Sequence, residues 1–202
     1  MQKKAIILLA NGFEEAEALV PFDFLKRAGI DVKLVAVQDV ADKAQVIDQG
    51  FIVSGSHGLQ VLVKECLMCV RAEEFDAVII PGGLRGANNI SESKLATERI
   101  LKQKNNNKTV AAICASPAVV LDKAGYFNTN SEVGVCYPNM DNGKPYLSGK
   151  NGTNGVCVSN NLITSRGPSC AEDFAFAIIE KLVGKEIANE VKDDTIYINK
   201  DR

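Results

Sequence analysis

Apolar residues fall along this chain in short unbroken runs that alternate with stretches where they recur every three or four positions. That is the pattern of buried parallel strands covered by amphipathic helices. Ala5 to Ala10 reads as a strand buried on both faces. Glu14 to Ala28 places Ala18, Leu19, Phe22 and Leu25 at helical spacing, with Gly29 set to cap the end. Pro21 inside this pattern predicts a kink or a break. Asp31 to Val37 follows as a second strand. From Gln45 to Val63, Gly50, Gly55 and Gly58 punctuate Val46-Ile47, Phe51-Ile52-Val53 and the alternating Leu59, Val61 and Val63. Such spacing predicts short antiparallel strands in a ribbon that projects from the sheet.

Ala77 to Ile80 and Thr109 to Ile113 read as central strands. Between them, Ser91 to Lys104 is an amphipathic helix with Leu95, Ile100 and Leu101 inward, capped by Ser91 or by a residue one or two later. Cys114-Ala115-Ser116-Pro117 then turns the chain into a helix from Ala118 to Lys123. Val133 to Cys136, Val156 to Val158 and Leu162 to Thr164 predict further strands, the last two joined by a hairpin turn at Asn160-Asn161. Asn139 to Asn154 reads as a surface loop, and helices at Ala171 to Val183 and Glu186 to Val191 close the chain. No repeat or linker divides it. The expectation is one α/β domain over residues 1–202, a three-layer sandwich with a mostly parallel central sheet and helices on both faces.

Charge narrows the functional classes. Lys and Arg number 23 against 25 Asp and Glu, a net charge of -2 that provides no basic face for nucleic acid. No apolar run approaches the roughly 20 residues of a membrane span. Lys3-Lys4 and the apolar residues after them lead into Asn11-Gly12-Phe13-Glu14-Glu15 with no small-residue cleavage site, so they predict a strand, not a signal peptide, and a cytoplasmic protein. Six cysteines are compatible with three disulfides, but nothing in the length or the N-terminal residues points to secretion. Cys66 and Cys69 form a C-x-x-C, but there is no second such pair and His57 is the one histidine. These are read as ordinary thiols, with no metal site and no cofactor expected.

Ligands of open α/β sheets bind at the carboxyl ends of the parallel strands. Three segments lie there: Asn11 to Glu17, Pro81-Gly82-Gly83, and Ile113 to Pro117. In the third, a nucleophile-type residue sits at a strand-to-helix junction with small residues after it, the mechanics of a nucleophile elbow. Cys114 there faces a helix N-terminus, which favours thiolate. No histidine is adjacent to serve as its base, which weakens a cysteine-protease reading. Glu14, Glu15 and Glu17 offer carboxylates instead, with helical spacing placing Glu14 and Glu17 on one face and Glu15 rotated away.

Four motifs together carry a resemblance: Gly12-Phe13-Glu14-Glu15-Ala16-Glu17, Pro81-Gly82-Gly83 with Gly86-Ala87 and Asn89, Ala111-Ala112-Ile113-Cys114-Ala115 with Pro117, and Thr164-Ser165-Arg166-Gly167-Pro168. In this order and over nearly the whole chain, the sequence resembles the ThiJ/PfpI superfamily, in the branch of the Parkinson-associated protein deglycase and its bacterial homologues. The resemblance implies a flavodoxin-like sandwich, a homodimer, and a Cys114 thiolate that accepts a hydrogen bond from protonated Glu17. It implies an anion pocket made by the N–H groups of Gly83 and Ala115, and places Pro168 at the pocket or interface. A carboxyl beside a thiolate should be raised in pKa and the sulfur lowered. The implied activity is a cofactor-independent glyoxalase or deglycase acting on methylglyoxal, glyoxal or their early adducts. Oxidative-stress sensing or protective chaperoning by the same cysteine is the alternative. The chain departs from the family pattern at Tyr137, where relatives often carry histidine before Pro138. A neutral phenol donates a hydrogen bond but is no base near neutral pH. His57 stands where relatives often have arginine and reads as an interface or pocket-rim residue. Arg27 resembles an interface arginine.

Overall fold

The computed structural model describes residues 2–127, 132–148 and 155–198. A seven-stranded sheet has the order β6-β2-β1-β7-β8-β10-β9, built from β1 (Lys4–Leu9), β2 (Asp31–Ala36), β6 (Glu65–Cys66), β7 (Ala77–Ile80), β8 (Thr109–Ile113), β9 (Val156–Ser159) and β10 (Leu162–Ser165). All neighbours are parallel except β9, which returns antiparallel along β10 through Asn160-Asn161, as the hairpin signal predicts. Strand residues alternate between two cores. Ala5, Ile7, Leu9, Ile79 and Ile113 face Ala18, Leu25, Phe174 and Ile178 of α1 (Glu15–Arg27) and α4 (Ala171–Val183), with α5 (Lys185–Asp194) beside them. Ile6, Leu8, Val78, Ile80 and Ala112 face Ala87, Ile90, Ala96 and Ile100 of α2 (Leu84–Glu92) and α3 (Lys94–Asn105). Burial on both faces explains why these strands read as continuous apolar runs.

The projecting ribbon is a separate antiparallel sheet of β3 (Gln45–Ile47), β4 (Gly50–Ser54) and β5 (Gln60–Val63). Several expectations need correction. Helix α1 runs through Pro21 without a break. Helix α2 was not expected; the cap of α3 is Ser93, the later of the registers allowed for it, which accepts the Ala96 N–H at 2.9 Å. Val133 to Cys136 makes no strand, only a bridge between Val135 and Ser148, and β6 is an added edge strand. Of the loop at 139–154, residues 149–154 lie outside the described residues; the rest includes a turn at Pro145–Leu147 with Leu147 buried. No described helix is long and apolar enough to cross a membrane.

Candidate active site

Strand β8 ends at Ile113, and Cys114 turns the chain with φ of 63°. This is the left-handed region, which costs a side-chain-bearing residue about 1–3 kcal/mol unless its surroundings hold it. Here the neighbouring strands do so. The Cys114 N–H donates to the Ser165 carbonyl at 2.9 Å, and the Tyr137 N–H donates to the Cys114 carbonyl at 2.8 Å. Buried Ser116 donates through its hydroxyl to the Pro81 carbonyl at 2.6 Å, tying the bend to the end of β7. The helix expected after the elbow is instead one π-type turn, Pro117–Leu121.

Across from the elbow lies the start of α1. Glu14 is its N-cap in extended conformation (φ -81°, ψ 122°), so helical spacing does not apply to it and the expected pairing of Glu14 with Glu17 on one face does not form. Glu17 is fully buried. Its Oε2 accepts the Gly82 N–H at 2.7 Å. Its Oε1 is buried with no hydrogen-bond partner, and the Cys114 side chain lies beside the carboxyl. Gly82 is the wall shared by both. A Cβ built there would sit 2.6 Å from Glu17 Oε2, 2.6 Å from Cys114 Cβ and 3.1 Å from Cys114 Sγ. Gly83, with φ of 79°, opens α2 and passes so close to the first loop that a Cβ would lie 2.3 Å from the Gly12 carbonyl oxygen. The backbone N–H groups of Gly83 and Ala115 both hydrogen-bond toward the Cys114 sulfur.

Burial pushes Glu17 up to about 7, against the Gly82 and Cys114 hydrogen bonds that favour its ionised form. The half-buried Cys114 thiol is also pushed up, to about 12, by burial first and then by the charge of Glu17, although the Gly83 and Ala115 N–H groups work the other way. That corrects the expectation of a lowered thiol. A five-residue π-turn supplies little of a helix dipole, and the desolvation comes from tertiary packing. The two groups sit close enough that their protons belong to the pair.

The ribbon docks on the loop after β1. The Gly12 N–H donates to the Ser54 carbonyl at 2.7 Å and the Ser56 N–H to the Phe13 carbonyl at 2.8 Å. This sets His57 beside α1, where its N–H donates to Glu15 Oε1 at 2.7 Å and its Nδ1 lies 2.9 Å from Glu15 Oε2. Ser56 Oγ is 3.0 Å from both Glu14 and Glu15. Burial pushes Glu15 up, but the hydrogen bonds from His57 and Ser56 outweigh it and hold this carboxyl down at about 2. The same contact with Glu15 raises His57, whose ring is 74% exposed. The ligating atoms of Glu14, Glu15 and His57 lie within 4.8 Å of one another, close enough for a cation.

Tyr137 and Pro168 line an open cleft of about 630 Å³ with Arg166 and Cys170. Tyr137 packs its ring 3.6 Å from where a Cβ on Gly167 would stand, and its backbone touches the elbow. Cys114, Glu17, Gly83 and Ala115 are therefore brought together; Tyr137 joins the elbow through its backbone N–H, Pro168 lines the cleft with Tyr137, and His57 stands on the ribbon against Glu15. Arg27 is not part of this cluster. It ends α1 in an exposed ion pair with Asp23, one turn earlier, at 2.9 Å. Sequence reasoning missed Gly82, whose position in a Gly-Gly pair was the available signal, and Ser116, which ties the elbow down.

Comparison with known proteins gives a consistent result. The model of the DJ-1/PfpI family matches residues 3–181. The chain is 37% identical to protein dj-1beta of Drosophila melanogaster over 195 residues, 95% of each chain. It is 30% identical to a Caenorhabditis elegans protein named glutathione-independent glyoxalase DJR-1.2, over 94% of each chain. Among solved structures, oxidized Toxoplasma gondii DJ-1 is 36% identical and superposes with a TM-score of 0.84, covering 96% of this chain and 98% of that one.

Proposed function

This chain belongs to the DJ-1/PfpI family, and from that premise we propose that it is a cofactor-independent glyoxalase or deglycase converting small α-oxoaldehydes, or their early adducts, through Cys114 and Glu17. The observation that carries the reading is a strained elbow cysteine sharing the Gly82 wall with a buried carboxyl whose pKa is pushed up to about 7. Once the pair has lost one proton, the form that carries the charge on sulfur and the proton on Glu17 is the reactive one, and the Gly83 and Ala115 N–H groups favour that sulfur anion.

For methylglyoxal, the Cys114 thiolate attacks the aldehyde carbon and forms the C–S bond. The carbonyl electron pair becomes an oxyanion, held by the Gly83 and Ala115 N–H groups and then protonated by Glu17. Glu17, now a carboxylate, takes the proton from that carbon, giving an enediol, and returns it to the neighbouring carbon. The product is a lactoyl thioester on Cys114. Water cleaves it to lactate and restores the thiol, so the net change is addition of one water with no external oxidant. In this reading the Tyr137 phenol can donate a hydrogen bond to a bound substrate but does not act as a base. A second copy completes the assembly in this reading. Leu59 and Leu62 of the ribbon are 45% and 42% exposed, apolar surface that a homodimer would cover, with Arg27 and His57 as candidate contacts.

The test is lactate formation from methylglyoxal. The protein should turn it over well above buffer, Cys114→Ser should abolish this and Glu17→Gln should lower it severely. Turnover at the buffer rate, or an unaffected Cys114→Ser variant, would overturn the reading. Half-exposure of Cys114 also favours a second reading, oxidation of that sulfur as a stress sensor. An intact-mass gain of two oxygens on peroxide treatment, lost in Cys114→Ser and without lactate turnover, would select it.

A further inference from the structure

The C-x-x-C pair lies outside this site and is not used by its chemistry. Cys66 ends the edge strand β6, and four strand spacings separate β6 from β8 in the sheet order. At about 4.8 Å each, the pair is roughly 19 Å from the elbow strand. The Cys69 N–H donates to the Cys66 carbonyl at 2.9 Å, closing a tight turn. In such a turn the first and fourth Cα atoms are within about 7 Å, which overlaps the roughly 4.4–6.8 Å that a disulfide spans. The same N–H lies 3.3 Å from Cys66 Sγ, so the Cys66 side chain folds back over the turn toward Cys69. Burial raises the Cys66 thiol, and its hydrogen bond with the Cys69 thiol adds to the rise. Exposure is asymmetric: Cys69 is exposed and Cys66 buried. Around the pair, Glu65 beside Cys66 is met by Lys33 at 3.2 Å and Arg71 by Glu98 at 3.2 Å, and exposed Lys64 adds a further positive charge.

We propose that Cys66 and Cys69 are a redox-active dithiol that reduces small anionic disulfides of the glutathione type. Cys69, as thiolate, attacks one sulfur of the disulfide, forms a mixed disulfide and releases the first thiolate. Cys66, losing its proton to solvent, then attacks the Cys69 sulfur and expels the second. Two protein thiols are oxidised to one intramolecular disulfide, and one external disulfide is reduced to two thiols. The exposed residue meets the substrate, and the shielded residue, fixed by the turn, resolves the adduct before another thiol can.

The experiment exposes reduced Cys114→Ser protein to graded ratios of glutathione disulfide to glutathione, followed by alkylation and tryptic digestion. Cleavage after Lys64 and Arg71 releases both cysteines in one peptide, 65–71. That peptide should lose two hydrogens and resist alkylation as the ratio rises. Cys69→Ser should abolish the change, and Cys66→Ala should trap a stable glutathione adduct on Cys69. Two alkylatable thiols at the oxidising end, or an adduct persisting on Cys69 with Cys66 intact, would overturn the proposal. If Cys66→Ala fails to fold, the closure of 65–71 in the parent protein and its loss in Cys69→Ser still decide. Because Cys114 is absent throughout, a failure here leaves the glyoxalase reading untouched.

Discussion

The Gly82 N–H donates to Glu17 Oε2 at 2.7 Å and holds the carboxyl at the wall it shares with Cys114, while Oε1 is buried without a hydrogen-bond partner. The first proton of the pair can leave either group, so its first titration step is set by the easier of the two routes. Glu17→Gln removes one route and leaves the sulfur alone. Cys114 alkylation in the native protein should reach a plateau with an inflection near 7, the value to which burial pushes Glu17. In Glu17→Gln the inflection should move to higher pH, because the easier route for the first proton is gone. Identical pH profiles for the two proteins would remove the carboxyl from the site.

Gly82→Ala tests the shared wall. The added Cβ would stand 2.6 Å from both Glu17 Oε2 and Cys114 Cβ, so one of them must move. Overpacking of this kind costs about 1–3 kcal/mol. The variant should melt at lower temperature and lose lactate formation out of proportion to its stability. A variant that retains full turnover would mean that the two side chains need not be held at this separation.

Much of this arrangement was legible in the sequence, for reasons tied to particular residues. Strands β1, β7 and β8 are buried on both faces, which forces unbroken apolar runs. Cys114 followed by Ala115 and Ser116 marks a bend too sharp for larger neighbours, and its φ of 63° is that bend. Helix α2 was hidden because Gly86, Asn88 and Asn89 are poor helix formers, and packing of Ala87 and Ile90 overrides their preference. The grouping of the acidic residues was misread because helical spacing was applied to Glu14, which lies outside the helix. The direction of the thiol shift could not be read from local sequence, since it depends on how deeply distant segments bury the sulfur and on which oxygen Gly82 occupies.

Stability should depend on pH through Glu17. Its pKa is raised in the folded state, so the native protein binds the proton more tightly than the unfolded chain. Stability from this group is therefore complete below the ordinary glutamate value of about 4.3 and falls as pH rises toward about 7. The loss is on the order of 3 kcal/mol across that window. Urea unfolding measured at a series of pH values should show the decline in the native protein and a flatter profile in Glu17→Gln. Parallel curves would show that the carboxyl ionises as readily in the fold as in the open chain.

The pair of His57 and Glu15 adds a second pH dependence, its two partners shifted in opposite directions. The Glu15 contact raises His57, and the ring is largely exposed to solvent. Because the chain has one histidine, its proton resonances report this group without ambiguity. They should titrate above the ordinary histidine value of about 6.5, and Glu15→Gln should lower the midpoint, with Glu14, 3.5 Å from Nδ1, still holding it above that value. The stabilisation that the pair provides is present below that ordinary value and is lost as pH rises through the folded midpoint. Its partner moves the other way, since the His57 and Ser56 hydrogen bonds, which outweigh burial, hold Glu15 at about 2. Added salt should shrink the His57 displacement, because an exposed pair is screened. A midpoint that ignores both Glu15→Gln and salt would mean that the ribbon does not hold His57 against α1 in solution.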